Sequence, residues 1–294
     1  MSIIIDNQTR VLIQGITGKE GRFWAKHMID YGTNVVAGST PGKEGQQVEN
    51  VPVYNNVRRA VANHAVDATL LFVPPRAAMD AIYEAMDAGI KTIVVTAEGI
   101  PLHEQIQIRK ASQEAGIMVI GCNTTGIIST GKAMMGFFPY WLERVYKAGN
   151  IGVMTRSGSL TNEVTAEIVK AGFGTTSIVG VGGDPAPFTR FAELLPLFEK
   201  DPETKAVVMI GEVGGTMEEE VAEAIEKKIF TKPLVAFMGG RTAPKGTKMG
   251  HAGAIITAGK GTVADKIEAL TAAGALIADR PRMIGTLLQS LLPK

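Results

Sequence analysis

Two side chains and two glycine-rich turns in this sequence have the makings of a reaction centre. His251 lies in the string MGHAGAI, Met249 to Ile255. Flanking glycine leaves an imidazole sterically open and lets a bulky group approach it. An imidazole placed this way can attack a phosphoryl group and carry it covalently, although packing or simple exposure would account for a solitary histidine. Glu212 stands in GEVGG, Gly211 to Gly215, directly after the apolar run VVMI. Its carboxylate could accept a hydrogen bond from one imidazole nitrogen and leave the other free to attack; the alternative is an exposed loop carboxylate. In TRSGSLTNEV, Thr155 to Val164, the residues Ser157, Gly158 and Ser159 precede an amphipathic run. That pattern predicts a capped helix start, whose N–H groups and positive dipole end suit a phosphoryl anion.

The second glycine-rich turn is GITGKEGRF, with Gly15, Gly18 and Gly21 between a predicted strand and a predicted helix. Its G-x-x-G-x-x-G spacing differs from the dinucleotide fingerprint and lacks the GK[ST] end of a P-loop. Either it is an ordinary strand-to-helix turn, or its backbone approaches a phosphate-bearing cofactor laid over the helix. Lys43, in STPGKEG, could supply a cation to that phosphate. Pro74 in FVPP, and Thr96 and Glu98 in VVTAEG, end predicted strands. Ligands gather at such carboxyl ends in open α/β sheets.

The elements needed to hold these residues alternate along the chain. Strands are expected at 11–14, 34–37, 68–73, 92–96 and 118–120, with helices at 21–31, 57–63, 77–88 and 102–115 between them. The second half repeats the rhythm, with strands at 150–154, 177–181, 206–210, 234–237 and 275–277 and helices at 160–171, 188–198, 217–228 and 262–273. Alternation of this kind predicts βαβ units on parallel sheets. Residues 126–149 interrupt it with glycines, Phe137-Phe138, Pro139 and the aromatic run Tyr140 to Tyr146. The expected organisation is therefore a first domain over 1–125, a linker over 126–149 and a second domain over 150–294. His251 is expected on a loop entering a helix.

Length and composition set outer limits. The 294 residues suffice for two domains, and 45% apolar with 20% charged residues implies packed cores. The formal charge of +1 and the absence of a basic stripe disfavour a nucleic-acid partner. One cysteine, Cys122, and four scattered histidines give no intramolecular disulfide and no expected metal site. Neither a signal peptide nor a run of 18 apolar residues is read, so no membrane segment is expected. A cytoplasmic location is the expectation.

Taken together, GITGKEG, TPGK, TAEGIP, TRSGSLT, GGDP, FEKDPET, MIGEVGG, TKP, TAPKG and MGHAGAII resemble, in order and spacing, the alpha subunit of succinate–CoA ligase over essentially the whole chain. The resemblance implies an α/β protein with a CoA-binding Rossmann-like domain followed by a flavodoxin-like domain. It implies that Thr17, Gly18, Lys19, Glu20, Lys43, Pro74, Thr96, Ala97 and Glu98 contact CoA, with Asn123 near its thiol end. It makes His251 the phosphorylated histidine and Glu212 its carboxylate partner, with Ser157, Gly158, Ser159 and Asn162 near phosphate or substrate. ATP or GTP with Mg2+ would be bound mainly by a beta subunit, in an αβ or α2β2 heteromer acting on a small carboxylic acid.

Two departures bear on that acid. Succinate-specific members carry a tyrosine where this chain has Asn162, and Asn162-Glu163 resembles the matching segment of citrate–CoA ligase and ATP-citrate lyase. The family's Asn-Cys-Pro is here Asn123-Thr124-Thr125. A carboxamide in place of a phenol opens volume and adds donors. Citrate is thus the favoured acid at this stage, with a separate lyase expected to cleave the product. Succinate is the alternative, and malate ligation or a non-catalytic CoA-binding role come after it. A dehydrogenase is disfavoured by the glycine spacing.

Overall fold

The computed structural model describes residues 2–241, 250–255 and 261–292. The chain forms two compact units. One is Ile4–Phe138 with Ala186–Thr189, and the other is Pro139–Pro185 and Arg190–Lys294 with Met1–Ile3.

The amino-terminal unit runs β1 Arg10–Gln14, α1 Lys19–Tyr31, β2 Asn34–Ser39, β3 Gln47–Val48, β4 Val51–Tyr54, α2 Val57–Asn63, β5 Ala68–Leu71, α3 Pro75–Asp87, β6 Thr92–Val95, α4 Leu102–Ala115, β7 Met118–Gly121, β8 Gly126–Ser129 and β9 Ala133–Gly136. Its main sheet has the order β3-β4-β2-β1-β5-β6-β7. All neighbours are parallel except the short β3–β4 pair. Without the edge strand β3 the order is 3-2-1-4-5-6, the doubly wound arrangement of Rossmann folds. Strand order reverses at β1, so the ends of β1, β2 and β5 open a crevice there. Residues such as Leu12, Leu71, Ile82, Ile93 and Val119 fill a core that excludes solvent.

The carboxy-terminal unit runs β10 Ala148–Thr155, α5 Gly158–Lys170, β11 Thr175–Gly180, α6 Phe191–Lys200, β12 Ala206–Glu212, α7 Met217–Glu226, β13 Leu234–Gly239, α8 Val263–Ala272, β14 Leu276–Ala278, a 3-10 turn and α9 Ile284–Leu291. Parallel pairing gives the order β14-β13-β12-β10-β11. That is 2-1-3-4-5 read from β11, the flavodoxin order, with its switch point beside β10. Every residue of β12 is buried, as expected of a strand covered on both faces.

One difference from the sequence reading has a physical cause. The stretch 126–149 holds an antiparallel hairpin, β8 on β9, and the division between units falls at Phe138–Pro139. All eight hairpin residues are buried, so the polar–apolar alternation that marks a strand is missing. The helix expected over 262–273 is α8, and His251 lies on the loop before it. Residues 251–253 form a tight turn, and α8 starts at Val263, capped by the Thr262 hydroxyl. Residues 256–260 and the basic loop 242–249 lie outside the described residues. Among the described residues, no helix is long and apolar enough to cross a membrane.

Candidate active site

The switch point of the carboxy-terminal unit brings His251, Glu212 and Ser157 to one cavity. Strand β10 ends at Thr155, and the chain turns into α5 through Arg156 and Ser157. The Ser157 side chain caps the helix by accepting from the Leu160 N–H. Adjacent β12 ends in Glu212, and β13 ends in Gly239, followed by Gly240. These ends and the 250–254 turn enclose a cavity of about 300 Å³, lined by Ser157, Ser159, Leu160, Glu212, Gly240 and His251 among others.

His251 Nδ1 lies 2.8 Å from Glu212 Oε2. A carboxylate only accepts, so Nδ1 is the donor and the neutral ring keeps its lone pair on Nε2. The His251 side chain is 28% exposed against 9% for Glu212, so the ring is reachable while its partner is sequestered. The imidazole packs against Gly183, where an added Cβ would sit 2.2 Å from the ring. Only glycine leaves room there. The Gly253 N–H then bonds the Gly183 carbonyl at 2.9 Å, which ties the histidine turn to the turn after β11.

The Glu212 hydrogen bond raises the His251 pKa above its usual 6.5, and the negative charges of Glu212 and Asp184 add to this. Burial and the Arg156 charge work against it. Arg156 is buried, with Nη2 3.1 Å from Glu212 Oε1. Beneath Glu212 lie two more buried ionic side chains, Glu218 and Lys266, in contact with each other. The sequence reading passed over Arg156, Asp184, Glu218 and Lys266. For two of them a signal exists: Glu218 precedes Val221 and Ala222 by three and four residues, and Lys266 follows Val263 by three and precedes Leu270 by four. Both therefore share the buried stripe of their helices.

Asn162 stands one turn into α5 and is not among the residues lining the cavity. Its Oδ1 accepts a hydrogen bond from the Tyr146 hydroxyl at 2.5 Å. With the oxygen so engaged, the amide NH2 is oriented as a donor. Gly158 begins the same helix.

The amino-terminal unit has its own crevice, about 600 Å³, at the switch point beside β1. Its walls include Gln14, Gly15, Thr17, Gly18, Thr40 and Pro74. The helix behind it begins at Gly18, which offers no side-chain cap. Close approach explains the third glycine of the turn, because a Cβ on Gly21 would lie 2.3 Å from the Gly15 carbonyl oxygen. The space, the glycine backbone and the bare helix start fit an elongated phosphate-bearing ligand. Thr17, Gly18 and Pro74 are thus brought to one crevice. Lys19 and Glu20 open α1 in exposed positions, and Lys43 is exposed on the loop after β2. The Thr96 hydroxyl donates to the Leu71 carbonyl, and the Ala97 carbonyl accepts from the Asn123 N–H. Glu98 is exposed beyond them. These four therefore cluster at the ends of β6 and β7 and not on the crevice wall. No group of three or more metal-ligating side chains occurs among the described residues.

Residues 6–99 match the CoA binding domain family, and residues 154–276 match the CoA-ligase family. The chain is 67% identical over 291 residues to the ADP-forming sulfoacetate-CoA ligase subunit SqwL of an Acholeplasma species, covering 99% of this chain and 98% of that protein. It is 48% identical over 279 residues to the succinate–CoA ligase [ADP-forming] subunit alpha 1 of Archaeoglobus fulgidus, covering 95% and 94%. Among solved structures, ATP citrate lyase from Methanothrix soehngenii, in complex with citrate and coenzyme A, superposes with a TM-score of 0.88 at 23% identity. That match covers 99% of this chain but 52% of the lyase chain, so this chain spans about half its length and shares its fold.

Proposed function

Since this chain belongs to the ADP-forming succinate/sulfoacetate–CoA ligase family, as its alpha subunit, we propose that it is the phosphoryl-carrying subunit of a sulfoacetate–CoA ligase. The observation that carries the mechanism is the 2.8 Å contact between His251 Nδ1 and the buried Glu212 carboxylate at the mouth of a cavity. Glu212 holds the proton on Nδ1. The Nε2 lone pair then attacks the terminal phosphorus of a nucleoside triphosphate, with Mg2+, delivered by a beta subunit. A P–N bond forms as the bond to the bridging oxygen breaks, and the diphosphate leaves. A carboxylate oxygen of the acid next takes the phosphoryl group, and the P–N electrons return to Nε2. Finally the CoA sulfur attacks the acyl carbon, and inorganic phosphate departs with the thiol proton. The start of α5 at Ser157 and Ser159 lies on the cavity wall, where its N–H groups can balance phosphoryl charge.

Sulfoacetate carries a carboxylate to be activated and a second anion, a sulfonate, at its far end. The 67% identity to a sulfoacetate–CoA ligase subunit supports it as the acid. Asn162, whose Oδ1 accepts from Tyr146, keeps its NH2 as a neutral donor of the kind sulfonate oxygens accept from, one turn along the helix from the cavity wall. Succinate has the same two-anion layout and is the second reading, favoured by the 48% relative. Citrate, the expectation drawn from Asn162-Glu163, gives way. It enters through ATP citrate lyase structures sharing 23% and 24% identity, a likeness of fold alone.

The test is to co-express the chain with its beta subunit and to follow diphosphate and acyl-CoA formation with sulfoacetate, succinate, citrate and malate. The proposal expects sulfoacetate to give the highest kcat/KM with ATP. A preference for citrate or malate would overturn the choice of acid. Failure with all four acids, despite labelling of His251 by nucleotide, would overturn this whole class of substrate.

A further inference from the structure

Glu212 is held from three sides, and only one of them is the histidine. Its Oε2 meets His251 Nδ1, its Oε1 lies 3.1 Å from Arg156 Nη2, and its backbone N–H donates to Glu218 Oε1 at 3.1 Å. Arg156 is itself fixed, since Nη1 donates to the Gly214 carbonyl at 2.9 Å and lies 3.5 Å from Glu218 Oε1. On the far side of Glu218 the ammonium of Lys266 meets its other oxygen. That ammonium also bonds the Gly215 carbonyl at 3.0 Å and Glu219 at 3.2 Å. Charges thus alternate inward from the reacting ring: imidazole, carboxylate, guanidinium, carboxylate, ammonium.

Stability alone gives little reason for this row. Buried ion pairs often contribute no more than apolar groups of the same volume, because desolvation offsets the attraction. The Arg156 and Lys266 side chains are 2% and 0% exposed, and Glu218 is 0% exposed, so the desolvation cost is close to complete. What the row does accomplish is directional. It sets which way the Glu212 carboxylate faces: Oε2 hydrogen-bonds the ring, while Oε1 faces the guanidinium as an ion pair without a hydrogen bond of its own.

We infer that Arg156 is a positioning residue for phosphoryl transfer: it orients Glu212 and limits how firmly that carboxylate holds His251 as imidazolium. This rests on His251 being the phosphoryl carrier. The charged groups facing the imidazole are Glu212 from β12, Arg156 from the β10–α5 turn and Asp184 from the turn after β11. Those facing Glu212 are His251, Arg156 and, from α7, Glu218, with Lys266 of α8 behind it. Without the guanidinium, Glu212 and Glu218 lose the cation between them, and the one strong partner left to Oε2 and Oε1 alike is the ring. The imidazole then keeps its second proton to higher pH, and Nε2 is less often free to attack. The Arg156 charge already opposes the upward shift of the His251 pKa.

The experiment is a double-substitution cycle in the assembled alpha–beta enzyme. The rate at which His251 takes label from γ-labelled ATP is followed from pH 5.5 to 9 in wild type, Arg156→Met, Glu212→Gln and the double variant. CoA binding to each is measured alongside. Arg156→Met should slow labelling by roughly 30-fold at pH 7 and move the rising limb of the profile up by about one pH unit, with CoA affinity unchanged. In the Glu212→Gln background the same change should cost less than about threefold, because a residue that acts through Glu212 has nothing left to act through. Equal losses in both backgrounds, or a loss independent of pH, would overturn the inference and leave Arg156 a structural residue. If Arg156→Met does not assemble, Arg156→Lys keeps the charge and should place the rising limb at the wild-type pH, while a limb displaced upward would count against the role. An unlabelled wild type, by contrast, would remove the carrier reading itself.

Discussion

The two switch points of this molecule are built from opposite materials. Beside β1 the crevice is made of backbone and shape: Gly15, Gly18, Thr17, Thr40 and Pro74, with a helix start that no side chain caps. Beside β10 the site is made of buried charge, with Arg156, Glu212, Glu218 and Lys266 ranked beneath a half-exposed imidazole. A ligand that only has to be held needs close approach and N–H groups, and glycine supplies both. A nucleophile that must gain and lose a phosphoryl group needs its protons placed. That demands carboxylates fixed by other charges in a site shielded from water. On the proposed function, the same sheet geometry serves binding in one unit and covalent chemistry in the other.

If that division is right, substitutions in the two units should have effects that do not overlap. His251→Asn should lower turnover of the assembled enzyme by ~10⁴-fold or more while leaving CoA affinity within about twofold. Steady-state assays and calorimetry read the two quantities, and a matched loss in both would erase the distinction. Glu212→Gln keeps the shape but weakens the acceptor, and should slow His251 labelling by roughly 100-fold. It should also shift the rising limb of the pH profile down, since the Glu212 hydrogen bond is the main cause of the raised His251 pKa. Gly21→Ala is the mirror case: the new methyl meets the Gly15 carbonyl oxygen at 2.3 Å and forces the turn open. CoA should bind about tenfold more weakly, a loss of ~1.4 kcal/mol, with nucleotide labelling of His251 unchanged.

Smaller effects refine the picture within the carboxy-terminal unit. Tyr146→Phe removes the donor that orients Asn162, so the KM for the acid should rise about fivefold, equivalent to loss of one hydrogen bond, without slower labelling. The smallest effect concerns stability. A histidine whose pKa is raised on folding stabilises the protein fully below its unfolded value of 6.5, and that contribution fades as pH rises through the folded value. Glu212→Gln should therefore cost more Tm at pH 5.5 than at pH 9, as read by thermal unfolding. The reverse trend would mean that the pair is not charged in the acidic range.

Much of this was legible in the sequence, for identifiable reasons. Strands such as Leu70–Leu71 within β5 and Ala206–Ile210 within β12 stand on apolar runs, and helices such as Val57–Asn63 and Leu102–Ala115 end where the periodicity ends. Glu212 and His251 were visible because charged or polar groups set among glycines at strand ends have little packing to do. The hairpin Gly126–Ser129 with Ala133–Gly136 was not visible, because burial on both faces removes alternation. Glu218 hid inside the acidic run Glu218–Glu220, which reads as a solvated helix face until its spacing to Val221 and Ala222 is weighed. Asn162 pointed toward citrate, whereas the relatives favour sulfoacetate or succinate. Its identity is plain in the sequence, but its hydrogen bond to Tyr146, sixteen residues earlier, depends on the folded chain.

The chemistry attributed to the carboxy-terminal unit can be tested on one atom. The assembled enzyme, incubated with nucleotide and quenched in alkali, should carry one acid-labile phosphate, located by tandem mass spectrometry on His251 and by phosphorus–nitrogen NMR coupling on Nε2. A phosphate on Nδ1, on another residue or on none would contradict the arrangement in which Glu212 keeps the Nδ1 proton and leaves the opposite nitrogen to react.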